Sequence, residues 1–131
     1  MHPIILISND NVTLEAIVEL SKPELLFKYL DSTSFSIEDH STDTGFNYLS
    51  ITLVTKSDTF SLYEEEERAY ILSQFDSPKF FLIQFTDFIF FKRFIEKIAS
   101  LEILIDNDFG RLLTTDDITM MQNMDDFRAE K

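Results

Sequence analysis

The sequence predicts an α+β fold: one domain with a mixed or antiparallel sheet that contains hairpins and is flanked by three to four helices. Residues 35–38 and 49–53 alternate apolar and polar side chains around a turn-forming segment, which is typical of a β-hairpin. Residues 88–98 repeat apolar side chains at helical spacing. Strands and helices follow no regular alternation, so a parallel βαβ repeat is not expected.

The chain is predicted to begin with a buried strand. Residues 3–8 are a mostly apolar, β-branched run that ends in turn-forming residues. Residues 12–20 fit a strand or a helix. Ser21 resembles a helix N-cap, because a proline and a glutamate follow in the first turn. We therefore expect a core-facing helix that ends near Asp31, with apolar positions Leu25, Leu26, Tyr29 and Leu30.

The predicted hairpin has one apolar face and one face toward water. Its apolar positions are Phe35, Ile37, Leu49, Ile51 and Leu53, and its polar positions are Ser36, Glu38, Ser50 and Thr52. The intervening turn contains His40, which is expected to be solvent-exposed and not a general base.

The next elements are a helix, a central strand and a second helix. The glutamate run opens a helix through Gln74, with Ala69 and Leu72 predicted to face inward and Tyr70 and Ile71 as further candidates. Residues 79–85 are apolar and β-favouring, which predicts a strand covered on both faces. Thr86 or Asp87 caps the following helix, whose inward positions are Phe88, Phe91, Ile95 and Ile98.

The chain is predicted to end in a hairpin and a short helix. Residues 102–106 form a strand that turns at 107–110, where Gly110 takes a positive φ, and returns through 111–113. Thr115 caps a last helix with Ile118, Met120 and Met121. The whole of 1–131 is expected to be a single globular domain with a frayed tail from about residue 125.

Charge excludes several classes of function. Twenty-four acidic against eleven basic residues leave a net charge of −13, and residues 1–66, with 12 acids and 3 bases, contribute −9 of it. Such a chain repels nucleic-acid phosphates and anionic membranes. It has no cysteine, so disulfides and thiolate sites are absent. Without a basic leader or a run of about 20 apolar residues, a cytoplasmic address is expected.

No catalytic motif is evident, and neither an enzyme nor a cofactor is expected. Two glycines are too few for a phosphate-binding loop, and no Gly-x-Ser-x-Gly or His-Glu-x-x-His pattern occurs. The segment 106–111 fails the calcium-loop pattern, because glycine stands at its fifth position and not at its sixth. A weak Mg²⁺ pair of Asp106 and Asp108 remains an alternative, as in a small metal-dependent enzyme, although turn formation explains these residues better.

Three acidic groups are the candidate binding residues. Carboxylates at a helix start are stabilised by the helix dipole by about 0.3–1 kcal/mol each. That effect explains part of the glutamate run and of Asp116-Asp117, but four adjacent glutamates also repel one another, so a partner-facing role stays open. The candidates are Glu64, Glu65, Glu66, Glu67, Asp106, Asp108, Asp116 and Asp117.

The C-terminal third resembles a known family. An apolar strand, an amphipathic helix, the string Ile105-Asp106-Asn107-Asp108-Phe109-Gly110 and an acid-started helix at Asp116-Asp117 together look like a small bacterial immunity protein. Such proteins belong to contact-dependent growth inhibition and related polymorphic toxin systems. The likeness covers roughly residues 79–124, and the N-terminal half adds only compatible size and acidity.

This resemblance implies a non-catalytic cytoplasmic protein that binds and neutralises a cognate toxin domain, often a nuclease. A nuclease presents a basic surface to its phosphate substrate, and an acidic protein can occlude that surface. The candidate acids would then pair with lysine and arginine of the toxin, or the 35–54 hairpin would lend an edge strand. The alternative is a nucleic-acid-mimicking inhibitor of a DNA-binding defence enzyme.

Overall fold

The described part of this computed structural model covers residues 4–21, 26–31, 33–42, 45–55, 59–107 and 111–128. For residues 21, 26–31, 39–42 and 45–47 only the backbone is described. The strands are β1 (Ile4–Asn9), β2 (Leu26–Asp31), β3 (Ser34–Thr42), β4 (Gly45–Val54), β5 (Pro78–Phe85), β6 (Ile103–Asp106) and β7 (Leu112–Leu113). The helices are α1 (Leu14–Ser21), α2 (Glu65–Gln74), α3 (Phe88–Lys97), α4 (Thr115–Thr119) and α5 (Met124–Arg128).

The strands form one seven-stranded antiparallel sheet in the order β2-β3-β4-β5-β1-β6-β7. The predicted α+β class, with an antiparallel sheet, hairpins and flanking helices, is therefore confirmed. β1 lies between β5 and β6, with Ile4 opposite Ile83 and Ile5 opposite Asp106. The N-terminal strand thus holds the two halves of the sheet together.

A large core covers the first face of the sheet. Alternate residues of β5, such as Phe81 and Ile83, point into it, because successive side chains on a strand point to opposite faces. Buried residues of α1, α3, α4 and α5 close this core from the other side. The inward positions predicted for α3 are all buried, and the Asp87 carboxylate caps the helix by accepting from the Phe90 N–H at 3.1 Å.

A smaller core lies on the second face, under α2. It joins Ile7, Phe80 and Leu104 of the sheet to Ile71 and Phe75 at the end of α2. Because β5 contributes apolar residues to both cores, the prediction of a strand covered on both faces is correct.

The polar side of the β3–β4 hairpin departs from expectation: Ser36 and Ser50 are buried, whereas Glu38 and Thr52 are half-buried. The four apolar positions other than Leu53 are fully buried.

The helix predicted to end near Asp31 is wrong. Residues 14–21 are helical instead, and residues 26–31 form strand β2, with Phe27 opposite Ile37 and Tyr29 opposite Phe35. Ser21 is the last residue of α1 and not an N-cap; the Thr13 hydroxyl accepts from the Ala16 N–H at that helix start. Pairing with β3 outweighs the helical spacing, because strand formation depends mainly on the neighbouring strand.

The C-terminal tail also differs from the prediction of fraying from about residue 125. Residues 124–128 form α5, and Phe127 is buried against Phe91 with ring centroids 5.4 Å apart. The buried Asn107 side chain donates to the Phe127 carbonyl at 2.8 Å and accepts from the Arg111 N–H at 3.1 Å. A single asparagine therefore joins the turn between β6 and β7 to the last helix.

Candidate functional site

The glutamate run lies at the start of α2. Glu64 is the N-cap residue with an extended backbone, and the Glu67 carboxylate accepts from the Glu64 N–H at 3.1 Å. Glu67 is half-buried, and its carboxylate caps the start of α2 as the glutamate of a capping box. Glu65 and Glu66 are exposed, and within the described part of the chain their carboxylates have no hydrogen-bond or ion-pair partner. The run therefore divides into structural and solvent-facing carboxylates.

Asp106 lies beside the start of α2. The Tyr63 hydroxyl, one residue before Glu64, donates to Asp106 Oδ2 at 2.9 Å. The Tyr63 ring is buried and stacks on Phe80, with centroids 6.1 Å apart and 25° between the ring planes. This hydrogen bond therefore joins the end of β6 to the turn that precedes α2, over a sequence separation of 43 residues.

Asp116 and Asp117 lie at the start of α4 and point to different surroundings. Asp117 and Thr114 cap the helix reciprocally: the Asp117 N–H donates to the Thr114 hydroxyl at 3.2 Å, and the Thr114 N–H donates to Asp117 Oδ2 at 2.9 Å. The cap is Thr114, one residue before the predicted Thr115. Asp117 lines a groove of about 370 Å³ with Arg111, Met120 and Asp126.

Asp116 instead faces the far end of α2. It lines a groove of about 320 Å³ together with Gln74 and Phe75 from the end of α2 and Glu102 before β6. Glu102 and Asp116 are both exposed, and neither carboxylate has a hydrogen-bond or ion-pair partner in the described residues. Acidic side chains thus lie near both ends of α2, and Glu102 is one that the sequence analysis missed.

The alternative that Asp106 and Asp108 bind Mg²⁺ gains no support from the structure. Asp106 is already bonded to Tyr63, and Asp108 lies outside the described residues. In the described ranges, no three His, Cys, Asp or Glu side chains come together to hold a metal ion. His40 belongs to β3 and not to a turn, and only its backbone is described. The same ranges contain no helix long and apolar enough to cross a membrane.

The outward side of α2 is more apolar than predicted. Ile71 is its one buried residue in the structure as described, whereas Ala69, Tyr70 and Leu72 are exposed, so the predicted inward positions of Ala69 and Leu72 are wrong. The four-residue spacing of Glu67, Ile71 and Phe75 marks the inward side correctly, and this signal was available in the sequence. Ala69, Tyr70 and Leu72 are therefore exposed, although Tyr70 and Leu72, two positions apart, lie on different sides of the helix.

The structure brings most of the acidic candidates to one element. Glu64 to Glu67 start α2, Asp106 is hydrogen-bonded to Tyr63 in the turn before it, and Asp116 lines a groove with the end of α2, while Asp117 lines a different groove. Exposed carboxylates of this kind suit contact with cationic groups. No family model, no curated protein and no solved structure matches this chain.

Proposed function

We propose that this protein is a bacterial immunity protein that binds a cognate toxin domain, a basic nuclease, and neutralises it by occluding its cationic surface. In this role it acts in the cytoplasm as a stoichiometric binder and not as an enzyme. One observation carries the proposal: the exposed carboxylates of Glu65 and Glu66 have no hydrogen-bond or ion-pair partner in the described residues, on a chain of net charge −13.

Charge makes such binding fast. A nuclease carries lysine and arginine where it meets phosphate, and complementary fields raise association rates above the ~10⁵–10⁶ M⁻¹s⁻¹ of neutral partners. Single exposed ion pairs contribute only about 0.2–1 kcal/mol, however. The acidic residues therefore explain partner choice and speed, while tight binding requires apolar contacts as well.

The direct test is coexpression of the chain with the toxin domain encoded beside it. We expect cells that carry both to survive, cells with the toxin domain alone to die, and the two proteins to copurify as a stoichiometric complex. Absence of both protection and binding contradicts the proposal. If the chain instead inhibits a DNA-binding defence enzyme unrelated to any neighbouring toxin, the nucleic-acid-mimic alternative is correct.

A second test separates the acidic residues by position. Glu65→Gln with Glu66→Gln removes two charges at α2 and leaves the Glu67 cap intact. The control, Glu15→Gln with Glu96→Gln, removes two exposed charges from α1 and α3 on the other face of the sheet. We expect association with the toxin to slow about threefold to tenfold at low salt for the first pair, and much less for the control. Equal rates for the two variants would remove α2 from the contact.

A further inference from the structure

A groove of about 380 Å³ lies where the end of β5 and the start of α3 meet α5. Its buried lining is aromatic: Phe85 and Phe88 are buried, and their rings lie 6.2 Å and 5.5 Å from the Phe127 ring, measured between centroids. Ile89, which is 48% exposed, and the half-buried Met124 also line the groove. Small-molecule sites measure about 300–1,000 Å³, so this groove suits a small ligand with an apolar group.

Opposite charges line the same groove without pairing. Asp87 is the N-cap residue of α3, Arg128 is the last residue of α5, and both side chains are exposed. Asp87 Oδ2 accepts from the Phe90 N–H at 3.1 Å, and its other carboxylate oxygen has no partner among the described residues. The Arg128 guanidinium has no hydrogen-bond or ion-pair partner in the same part of the chain. Both charges are therefore available to a ligand in the groove.

Two side-chain amides add hydrogen-bond donors to this lining. The Asn123 Oδ1 atom accepts from the Asp126 N–H at 3.0 Å, which leaves the amide NH₂ group of Asn123 for a ligand. The exposed Gln122 side chain forms no hydrogen bond within the described ranges. Guanidinium and amide N–H groups are suitable donors to a carboxylate. These residues and Arg128 therefore suit the carboxylate end of a ligand.

Charge selects a ligand that carries both signs. A purely anionic ligand is repelled by the chain's net charge of −13. A purely cationic ligand leaves the donors of Arg128 without an acceptor and is repelled by the guanidinium. A ligand with one ammonium and one carboxylate has no net charge, and it can bind Asp87 and Arg128 together. The aromatic lining adds the requirement for an apolar side chain.

We propose that this groove binds a free α-amino acid with an apolar side chain. Its carboxylate accepts from Arg128, its ammonium donates to Asp87, and its side chain packs on Phe85 and Phe88. This inference does not rest on the proposed function, because it concerns a small ligand and not a protein partner. Exposed ion pairs contribute little, so we expect a dissociation constant of about 0.1–10 mM.

The first test is an NMR titration of the full wild-type chain with L-phenylalanine. We expect backbone amide shifts in residues 85–89 and 122–128, with saturation in the millimolar range. 3-Phenylpropionate lacks the ammonium and phenethylamine lacks the carboxylate, so each should bind about threefold to tenfold more weakly. Absence of binding by L-phenylalanine, L-leucine and L-methionine overturns the proposal. Equal affinity for 3-phenylpropionate and L-phenylalanine overturns recognition of the ammonium, and with it the amino-acid assignment.

The second test removes each charge with little disturbance of the fold. Asp87→Asn keeps a side-chain oxygen for the Phe90 N–H, and Arg128→Gln alters an exposed residue. Each should weaken binding of L-phenylalanine about threefold to tenfold. Asp87→Asn should leave binding of 3-phenylpropionate unchanged, because that ligand has no ammonium.

Matched controls make the same chemical changes outside the groove. Asp76→Asn and Arg93→Gln alter exposed residues that do not line it, and they should change the affinity less than about twofold. Equal affinities of the groove variants and these controls overturn the assignment of the groove. Amide shifts far from the groove show whether each variant is folded, and the analogue titrations of the wild type decide the question if a variant is not.

Discussion

Helices α2 and α3 have the same length, ten residues, and lie on opposite faces of the same sheet, yet they are used differently. α3 buries five residues, including Phe91, in the large core, whereas α2 buries Ile71 alone among its described residues. Their charges also differ: three bases against one acid make α3 +2, and three glutamates against one arginine make α2 −2. Helix α3 therefore supplies part of the large core, whereas α2 is held by few buried contacts and leaves most of its side chains exposed.

The largest loss of stability is expected from a substitution at the centre of α3. Phe91 is fully buried and stacks on Phe85 with ring centroids 4.6 Å apart. Phe91→Ala should lower the free energy of unfolding by about 3–5 kcal/mol, because it leaves a cavity in the large core. Urea denaturation measures the change, with the exposed Arg93→Ala as a control expected within about 0.5 kcal/mol. A loss below about 1 kcal/mol would contradict the central role of α3.

The corresponding substitution in α2 should have a smaller and more local effect. Ile71→Ala should cost about 2–3 kcal/mol, because Ile71 is fully buried in the smaller core. Since few other contacts hold α2, backbone amide hydrogen exchange of the Ile71→Ala variant should be faster than in the wild type for residues 65–74 and should remain slow for residues 88–97. The exposed Ser73→Ala serves as control. Equal acceleration in both helices would show that α2 is as firmly integrated as α3.

Substitution of Asn107 tests what holds α5 against the large core, on the same face of the sheet as α3. Asn107→Ala removes the hydrogen bonds to the Phe127 carbonyl and from the Arg111 N–H, both near or within the core. We expect a loss of about 1–3 kcal/mol in the free energy of unfolding, because these backbone groups lose their partner. Limited proteolysis should cut residues 122–128 sooner than in the wild type. An unchanged cleavage pattern would mean that Phe127 alone fixes α5.

The smallest expected effects concern the helix starts. Asp87→Ala should destabilise the protein by about 1 kcal/mol, because the Phe90 N–H loses its acceptor. Glu67→Gln should cost only a few tenths of a kcal/mol, since an amide oxygen still accepts from the Glu64 N–H. Thermal unfolding of the two variants side by side checks the order. A larger loss at Glu67 would indicate that α2 depends on its carboxylate charge.

The elements with strong periodicity were predictable from sequence. The β3–β4 hairpin, β5 and α3 follow from the repeat of apolar residues such as Phe35, Ile37 and Phe91, because burial on one or both faces imposes that repeat. β2 was not predictable, since apolar spacing in 25–30 fits a helix and only pairing with β3 decides it. Sheet order likewise depends on contacts between distant segments.

The candidate site was predictable only in part. The acidic clusters are visible in the sequence, but their arrangement around α2 depends on the long-range bond from Tyr63 to Asp106. Leu72 was expected inside and Tyr70 was a further candidate, because an apolar residue in a helix is most often buried. The helical repeat alone does not show which side of a helix is buried, because that depends on how the helix packs against the sheet.

The position of β1 has a consequence for how the protein reaches its native state. β1 precedes all the other strands described, yet its neighbours in the sheet are β5 and β6, and Ile4 and Ile83 are 79 positions apart. Contacts over such separations form slowly, because a long loop must close before the ladder is gained. The two neighbours of β1 are therefore both in place only after residue 106 has been synthesised. Deleting the first nine residues would remove the middle of the sheet and not an edge.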